Sequence, residues 1–175
     1  TRRRDLEVAQ RSMSPEDRAR LHGAWAKALS HELEGGGPAL LAHHQLRSTD
    51  PQRGVPLAVQ AAETHAVAGA INAAIQILED ARPHASGELK LAILSRLAEL
   101  APLTGNPRRA LRFVEEWKAA LEPAHRGVAL RREAELHNAA GDFHLALEAV
   151  EATRGLLDEG QPVERARLEA TASEA

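Results

Sequence analysis

Ala134-Glu135-Leu136-His137-Asn138-Ala139-Ala140-Gly141-Asp142-Phe143-His144-Leu145-Ala146-Leu147 is one copy of a pattern that the chain carries three times. Gly69, Gly105 and Gly141 stand 36 residues apart. Ala74, Ala110 and Ala146 follow five positions after each glycine, and Ile75, Leu111 and Leu147 come next. Ala62, Ala98 and Ala134 stand seven positions before each glycine. A fixed period of this length marks a stacked repeat fold, in which each unit buries its apolar face against the next. Such folds usually bind other molecules along an extended surface.

Composition agrees with helices. Alanine and leucine dominate, aromatic residues make up 2% of the 175, and tyrosine is absent. Small apolar side chains favour helix and let helices approach closely. No segment alternates with the period of two that a half-buried strand needs. The chain is expected to be all-α: a right-handed α-solenoid of antiparallel helix pairs, about nine helices in all.

Bulk chemistry excludes several function classes. Net charge is -3, so no basic face is expected to hold nucleic acid. Arg2-Arg3-Arg4 is too short to change that and reads as a solvated start. There is no cysteine, which removes disulfides, thiolate chemistry and cysteine zinc sites. No run of 18 apolar residues appears, so no membrane span is expected. The chain opens on Thr1 with no signal-peptide pattern, and the expectation is a segment of a longer cytoplasmic protein.

Helix boundaries are marked by caps and breakers. Ser14-Pro15-Glu16-Asp17 combines a capping serine, proline at the first helical position and acids in the first turn. The helix it opens is expected to reach Leu33 and to place Leu21, Trp25, Ala28 and Leu29 on one face. Gly35-Gly36-Gly37-Pro38 breaks it, and a shorter helix runs to Arg47 before Asp50-Pro51. Further helices are read over Gln52–Ala68, Ala70–Arg82, Glu88–Leu103, Pro107–Leu121, Ala124–Ala140 and from Asp142 to Asp158. Asn106 is read as a cap before Pro107. A last helix is read from Val163 to Ala172. The domain reading is therefore a stub at 1–13, a divergent hairpin at 14–51, three 36-residue repeats at 52–158, and a capping helix or frayed tail at 159–175.

The blocks Ala58–Arg82, Leu94–Leu121 and Leu130–Leu157 resemble tetratricopeptide repeats. The small residue of the first helix and the alanine of the second are Ala62 with Ala74, Ala98 with Ala110, and Ala134 with Ala146. Gly141-Asp142-Phe143 with Ala146-Leu147-Glu148 is closest to that family's turn. The chain departs from the family in its period, in Ala58, Leu94 and Leu130 where an aromatic is usual, and in His65, Ala101 and His137 where a tyrosine is usual. The stretch Ser14 to His22, with Leu41-Ala42-His43-His44 and Asp50-Pro51, resembles the region after the ATPase module of bacterial signal-transduction ATPases and of kinase-linked or transcriptional regulators. That resemblance implies a helical interaction or sensor segment of a larger regulator. No phosphate-binding G-x-x-x-x-G-K-[ST] loop occurs.

Glu63, Glu99 and Glu135 also recur every 36 residues. By the family resemblance they line the concave groove, with Arg131 and Asn138 beside them, and would hold a basic peptide or protein patch. The simpler reading of the same glutamates is a solvated face paired with Arg96, Arg131 or Arg132, each pair contributing about 0.2–0.5 kcal/mol. Glu79, Glu115 and Glu151 form an outer ladder for which solvation suffices. Nine histidines raise the question of a metal. His43 and His44, adjacent on a helix, diverge by about 100° and share one ion poorly. His31-Glu32 lacks the second histidine of H-E-x-x-H, and His137 and His144 flank a turn without further ligands. No metal, cofactor or catalytic residue is expected. Trp25, Phe113, Trp117 and Phe143 are read as core anchors. Two other classes stay open: a small-molecule sensor gating an attached ATPase or kinase, and a structural oligomerisation scaffold.

Overall fold

The computed structural model describes residues 13–31, 37–154, 156 and 169–173. Among them every regular element is an α-helix or a short 3-10 turn. Most of the stub at 1–13, most of the tail at 159–175, the break before Gly37, and the expected helix ends at Leu33 and Asp158 lie outside the described residues. The chain divides into two compact units, residues 1–85 and 86–175. The division falls between the first 36-residue repeat and the second.

The first unit contains α1 (Pro15–His31), α2 (Pro38–Leu46), α3 (Gly54–Val67) and α4 (Ile71–Ala81), each packed on the next. Ser14 opens α1: its hydroxyl accepts the Asp17 N–H at 3.0 Å and donates to the Asp17 carboxylate at 2.7 Å. The α1 face that meets α2 is not the expected Leu21–Trp25 stripe. Ala26 is the buried residue of α1, with His22 and Leu29 half-buried beside it, while Trp25 stays 53% exposed. A small side chain at the centre lets the two backbones close, and the Trp25 ring lies over His44 instead of entering the core.

Gly54 sets the distance between α2 and α3. A Cβ built there would meet the Leu46 backbone nitrogen at 2.7 Å and Leu46 Cγ at 2.9 Å. In an open helical position Gly→Ala stabilises by about 0.5–1 kcal/mol. Here the sign reverses, since backbone cannot swing aside: Gly54→Ala costs about 1–3 kcal/mol. Thermal unfolding followed by circular dichroism checks this, and an unchanged or raised Tm would contradict so close an approach. In α4, Ala74, Ile75, Leu78 and Ala81 fall at helical spacing on the buried face.

The second unit contains α5 (Gly87–Leu100), α6 (Pro107–Ala120), α7 (Gly127–Ala140) and α8 (Phe143–Arg154), again each on the next. The six repeat alanines, Ala62, Ala74, Ala98, Ala110, Ala134 and Ala146, are 0–1% exposed. Gly141 ends α7 at φ 79°, a conformation that costs other residues energy. Its turn returns the Asp142 N–H to His137 O at 2.9 Å, and the Ala70 N–H reaches His65 O at 2.8 Å two repeats earlier.

The middle hairpin differs, and Pro102 is the reason. The helix expected to reach Leu103 closes at Leu100, and a 3-10 turn covers Ala101–Thr104 before Gly105 at φ 80°. Pro102 has no N–H for Ala98 O, the partner four residues back. Arg132 of α7 supplies the missing donor, its Nη2 reaching Ala98 O at 3.2 Å. Asn106 then caps α6, its Oδ1 accepting the Arg109 N–H at 3.1 Å. Among the four aromatic residues only Phe113 is fully buried; Phe143 is 49% exposed and Trp117 half-buried.

Candidate functional site

Glu99 and Glu135 hold equivalent positions on α5 and α7, the first helices of their pairs. Together with Ser95, Trp117, Val128, Arg131 and Arg132 they line one hollow of about 180 Å³. Trp117 enters from α6. Equal spacing along the chain thus becomes adjacency in space, because each hairpin returns the chain to the same side.

The carboxylates of this hollow are met by the chain's own cations. Arg96 Nη1 lies 2.7 Å from Glu99 Oε2. Arg131 Nη1 pairs with Glu135 Oε1, and Arg132 Nη1 lies 2.7 Å from Glu135 Oε2. Three guanidinium groups therefore face two carboxylates. Arg131 is the most enclosed of them, its side chain 14% exposed. The Arg96–Glu99 pair is more accessible, with side chains 31% and 55% exposed; such a pair contributes about 0–1 kcal/mol and remains exchangeable for a partner's groups.

Not every residue expected at the groove is here. Asn138 donates its Nδ2 to Thr171 O at 2.9 Å, tying α7 to the helical piece at 169–173. Glu169 of that piece meets Arg154 of α8, and Ala172 packs on Ala134, Ala149 and Val150. Glu63 is an exposed residue of α3 in the first unit. Among the described residues no group of three His, Asp or Glu side chains is arranged to hold a metal ion.

The outer ladder holds more than solvated charge. Lys118 lies 2.7 Å from both carboxylate oxygens of Glu133 and 2.9 Å from Glu115 Oε1. Burial pushes the Glu133 carboxyl above the usual range, while a hydrogen bond from Lys118 holds Glu115 below it. Burial pushes the Lys118 ammonium down, but its hydrogen bonds to Glu133 and Glu115 carry it above the usual lysine value. Lys118 and Glu115 also border a second hollow of about 520 Å³, with Ala119, Pro123, Arg126, Leu130, Ala152 and Leu156. A sequence signal for Lys118 exists: Arg82, Lys118 and Arg154 recur every 36 residues, three positions after each outer glutamate. Arg154 pairs with Glu151 at 2.6 Å in the same way.

No known family model, curated protein or solved structure matches the chain. The functional reading rests on the site itself. Its parts are a half-buried indole, an exposed valine, and a lattice of arginines and glutamates. Such a surface can bury an apolar side chain and exchange ion pairs with whatever carries it. Among the described residues no helix is long and apolar enough to cross a membrane.

Proposed function

We propose that the chain is a non-catalytic helical-repeat interaction segment that binds a partner polypeptide in the hollow of Glu99, Trp117, Val128, Arg131, Arg132 and Glu135. The observation that carries this reading is the meeting of two repeat-related glutamates beside Trp117. Half-buried tryptophan and arginine are the residue types most often dominant in protein recognition. The right-handed solenoid, and the place of the segment within a larger bacterial regulator, belong to the same proposal. They rest on the 36-residue register and on the resemblance of residues 14–51.

The partner's charge follows from the geometry of the groups. A basic peptide would meet glutamates that already carry arginines. A partner bringing a carboxylate gains more, because Arg131 and Arg132, which line the hollow, present planar forks suited to it. Selection from a random peptide-display library tests this. Peptides with an Asp or Glu next to an apolar residue should be enriched. Arg131→Glu should weaken their binding about tenfold or more with helix content unchanged. Enrichment of Lys/Arg peptides would reverse the charge assignment, and no enrichment would remove the interaction reading.

The hollow beside Lys118 favours a second reading, a small-molecule effector site. Its volume of about 520 Å³ falls in the usual range for such ligands. Thermal stabilisation by a metabolite in the absence of any peptide would favour this reading.

A further inference from the structure

Three imidazoles meet where α1 packs on α2. His22 Nδ1 of α1 lies 3.0 Å from His44 Nδ1 of α2. The His22 ring centroid is 5.0 Å from that of His44 and 6.0 Å from that of His43, and the two neighbours on α2 are 5.3 Å apart. Trp25 stacks on His44 at 6.1 Å. Arg47 closes the cluster: its Nη1 lies 3.0 Å from His43 Nδ1, and its Nη2 lies 2.9 Å from Asp80 of α4.

This geometry limits the number of protons that the rings can carry. The contact between His22 and His44 needs one Nδ1 with a proton and one without. The pair tolerates a single added proton at an outer nitrogen, but a second places two N–H groups head to head. His43 must keep its Nδ1 bare to accept from Arg47, so its protonation sets a cation against a guanidinium. Little else holds α1 in place, because Ala26 alone of its residues is buried.

We propose that the His22–His43–His44 cluster is an acid-sensitive latch that holds α1 on α2 near neutral pH and releases it on mild acidification. The environment supports this. Burial lowers the affinity of all three rings for protons; the charges of His44, His43 and Arg47 add to it at His22, Arg47 and His44 add at His43, and Arg47 adds at His44. Asp80 opposes the trend at His43 alone. A histidine lowered in the docked state contributes stability that is complete above its ordinary value. That contribution is lost as pH falls through the docked value. Asp80 cannot be the trigger in the same window. Although burial pushes its carboxyl up, hydrogen bonds from Arg47 and Gln76 hold it below the usual aspartate range, so the bridge to Arg47 stays charged.

Amide hydrogen exchange as a function of pH, corrected for intrinsic rates, tests the latch. On going from about pH 7.5 to about pH 5, protection in α1 should fall by up to about tenfold per pH unit for each proton taken up. Protection in α3 and in α5–α8 should hold. His22→Phe with His44→Phe, which keeps ring volume and removes both titrations, should leave α1 protected at pH 5. His43→Gln alone should shift the loss to lower pH. Constant α1 protection in the natural chain would overturn the latch, as would equal loss in the chain and its ring-substituted variant. Should the double variant fail to fold by circular dichroism, the His43→Gln shift decides: an unshifted loss overturns the proposal.

Discussion

Lys118→Met lowers the unfolding free energy by about 2–4 kcal/mol at pH 7. The lysine lies against both Glu115 and Glu133, and it and Glu133 are largely enclosed, with side chains 20% and 13% exposed, while Glu115 is 63% exposed. Removing one member of an enclosed ion cluster leaves the others with no compensation, which costs more than the intact cluster contributed. The deficit carries a pH signature. With Lys118 gone, two carboxylates face each other, and one proton relieves them. The variant therefore recovers part of its loss as pH falls toward 4–5, the ordinary glutamate range. The natural chain behaves differently because its glutamates oppose one another. Glu133, raised by burial, contributes most below the ordinary glutamate value and loses that contribution as pH rises through its raised one. Glu115, lowered by Lys118, contributes above the ordinary value and loses it as pH falls through its lowered one. Urea unfolding at several pH values measures both effects. Glu133→Gln added to Lys118→Met should restore a good part of the loss at pH 7. A deficit below about 1 kcal/mol that ignores pH would show the three groups to be independently solvated.

Much of the backbone plan could be read in advance because it depends on local chemistry. A helix pair of fixed length needs a positive φ at its turn and a small side chain where the two helices cross. Gly69, Gly105 and Gly141 meet the first need, and the six buried alanines meet the second. Ser14-Pro15 and Asn106-Pro107 mark helix starts by hydrogen bonds that span three residues. What escaped depends on side chains from different helices. His22 and His44 are 22 positions apart, and nothing in either local pattern points to the other. Gly54 opens α3 after a 3-10 turn, at a φ of -77° that is open to any residue, and its role exists only once Leu46 lies against it. Pro102 lies inside the segment read as helix to Leu103, and the donor for the carbonyl it strands, Arg132, lies on another helix.

The glutamate ladder shows the same limit from the other side. Its period was legible, and Glu99 with Glu135 do share one hollow. Its arginines were legible too, since Arg96 and Arg132 share a repeat position that Gln60 breaks in the first repeat while Arg131 corresponds to Ser95, but the meeting of both carboxylates beside Trp117 was not. Conversely, Arg82, Lys118 and Arg154 do keep the period but mix two residue types, which hides it from a search for identities. The groove pairs Arg96–Glu99, Arg131–Glu135 and Arg132–Glu135 are local to one helix, at spacings of three and four, whereas Lys118 reaches Glu133 on the next helix, and a reading confined to repeat identity weighs neither.

Phe113→Ala is expected to cost about 3–5 kcal/mol, the range for removing a buried phenylalanine ring. The ring is 1% exposed, and it stands in a repeat position occupied by Ile77 in the first repeat and Ala149 in the third. A family of positions that accepts isoleucine, phenylalanine and alanine is one whose surroundings have adjusted in each copy. Around Phe113 they have adjusted to a ring, so truncation leaves a void that helices pinned by Ala98 and Ala110 cannot close. Phe113→Leu fills most of that volume and should lose less than half as much. Domains of this size usually hold about 5–15 kcal/mol, so the alanine variant gives up a large share of the total. The effect also reaches the hollow. Trp117 lies four residues on, on the same face of α6, a spacing at which two side chains of a helix are neighbours. Peptides selected on the natural chain should therefore bind Phe113→Ala more weakly even where it remains folded, and bind Phe113→Leu almost normally. Equal binding by all three would show that the indole is held from the α7 side and that the core of the second unit does not shape the recognition surface.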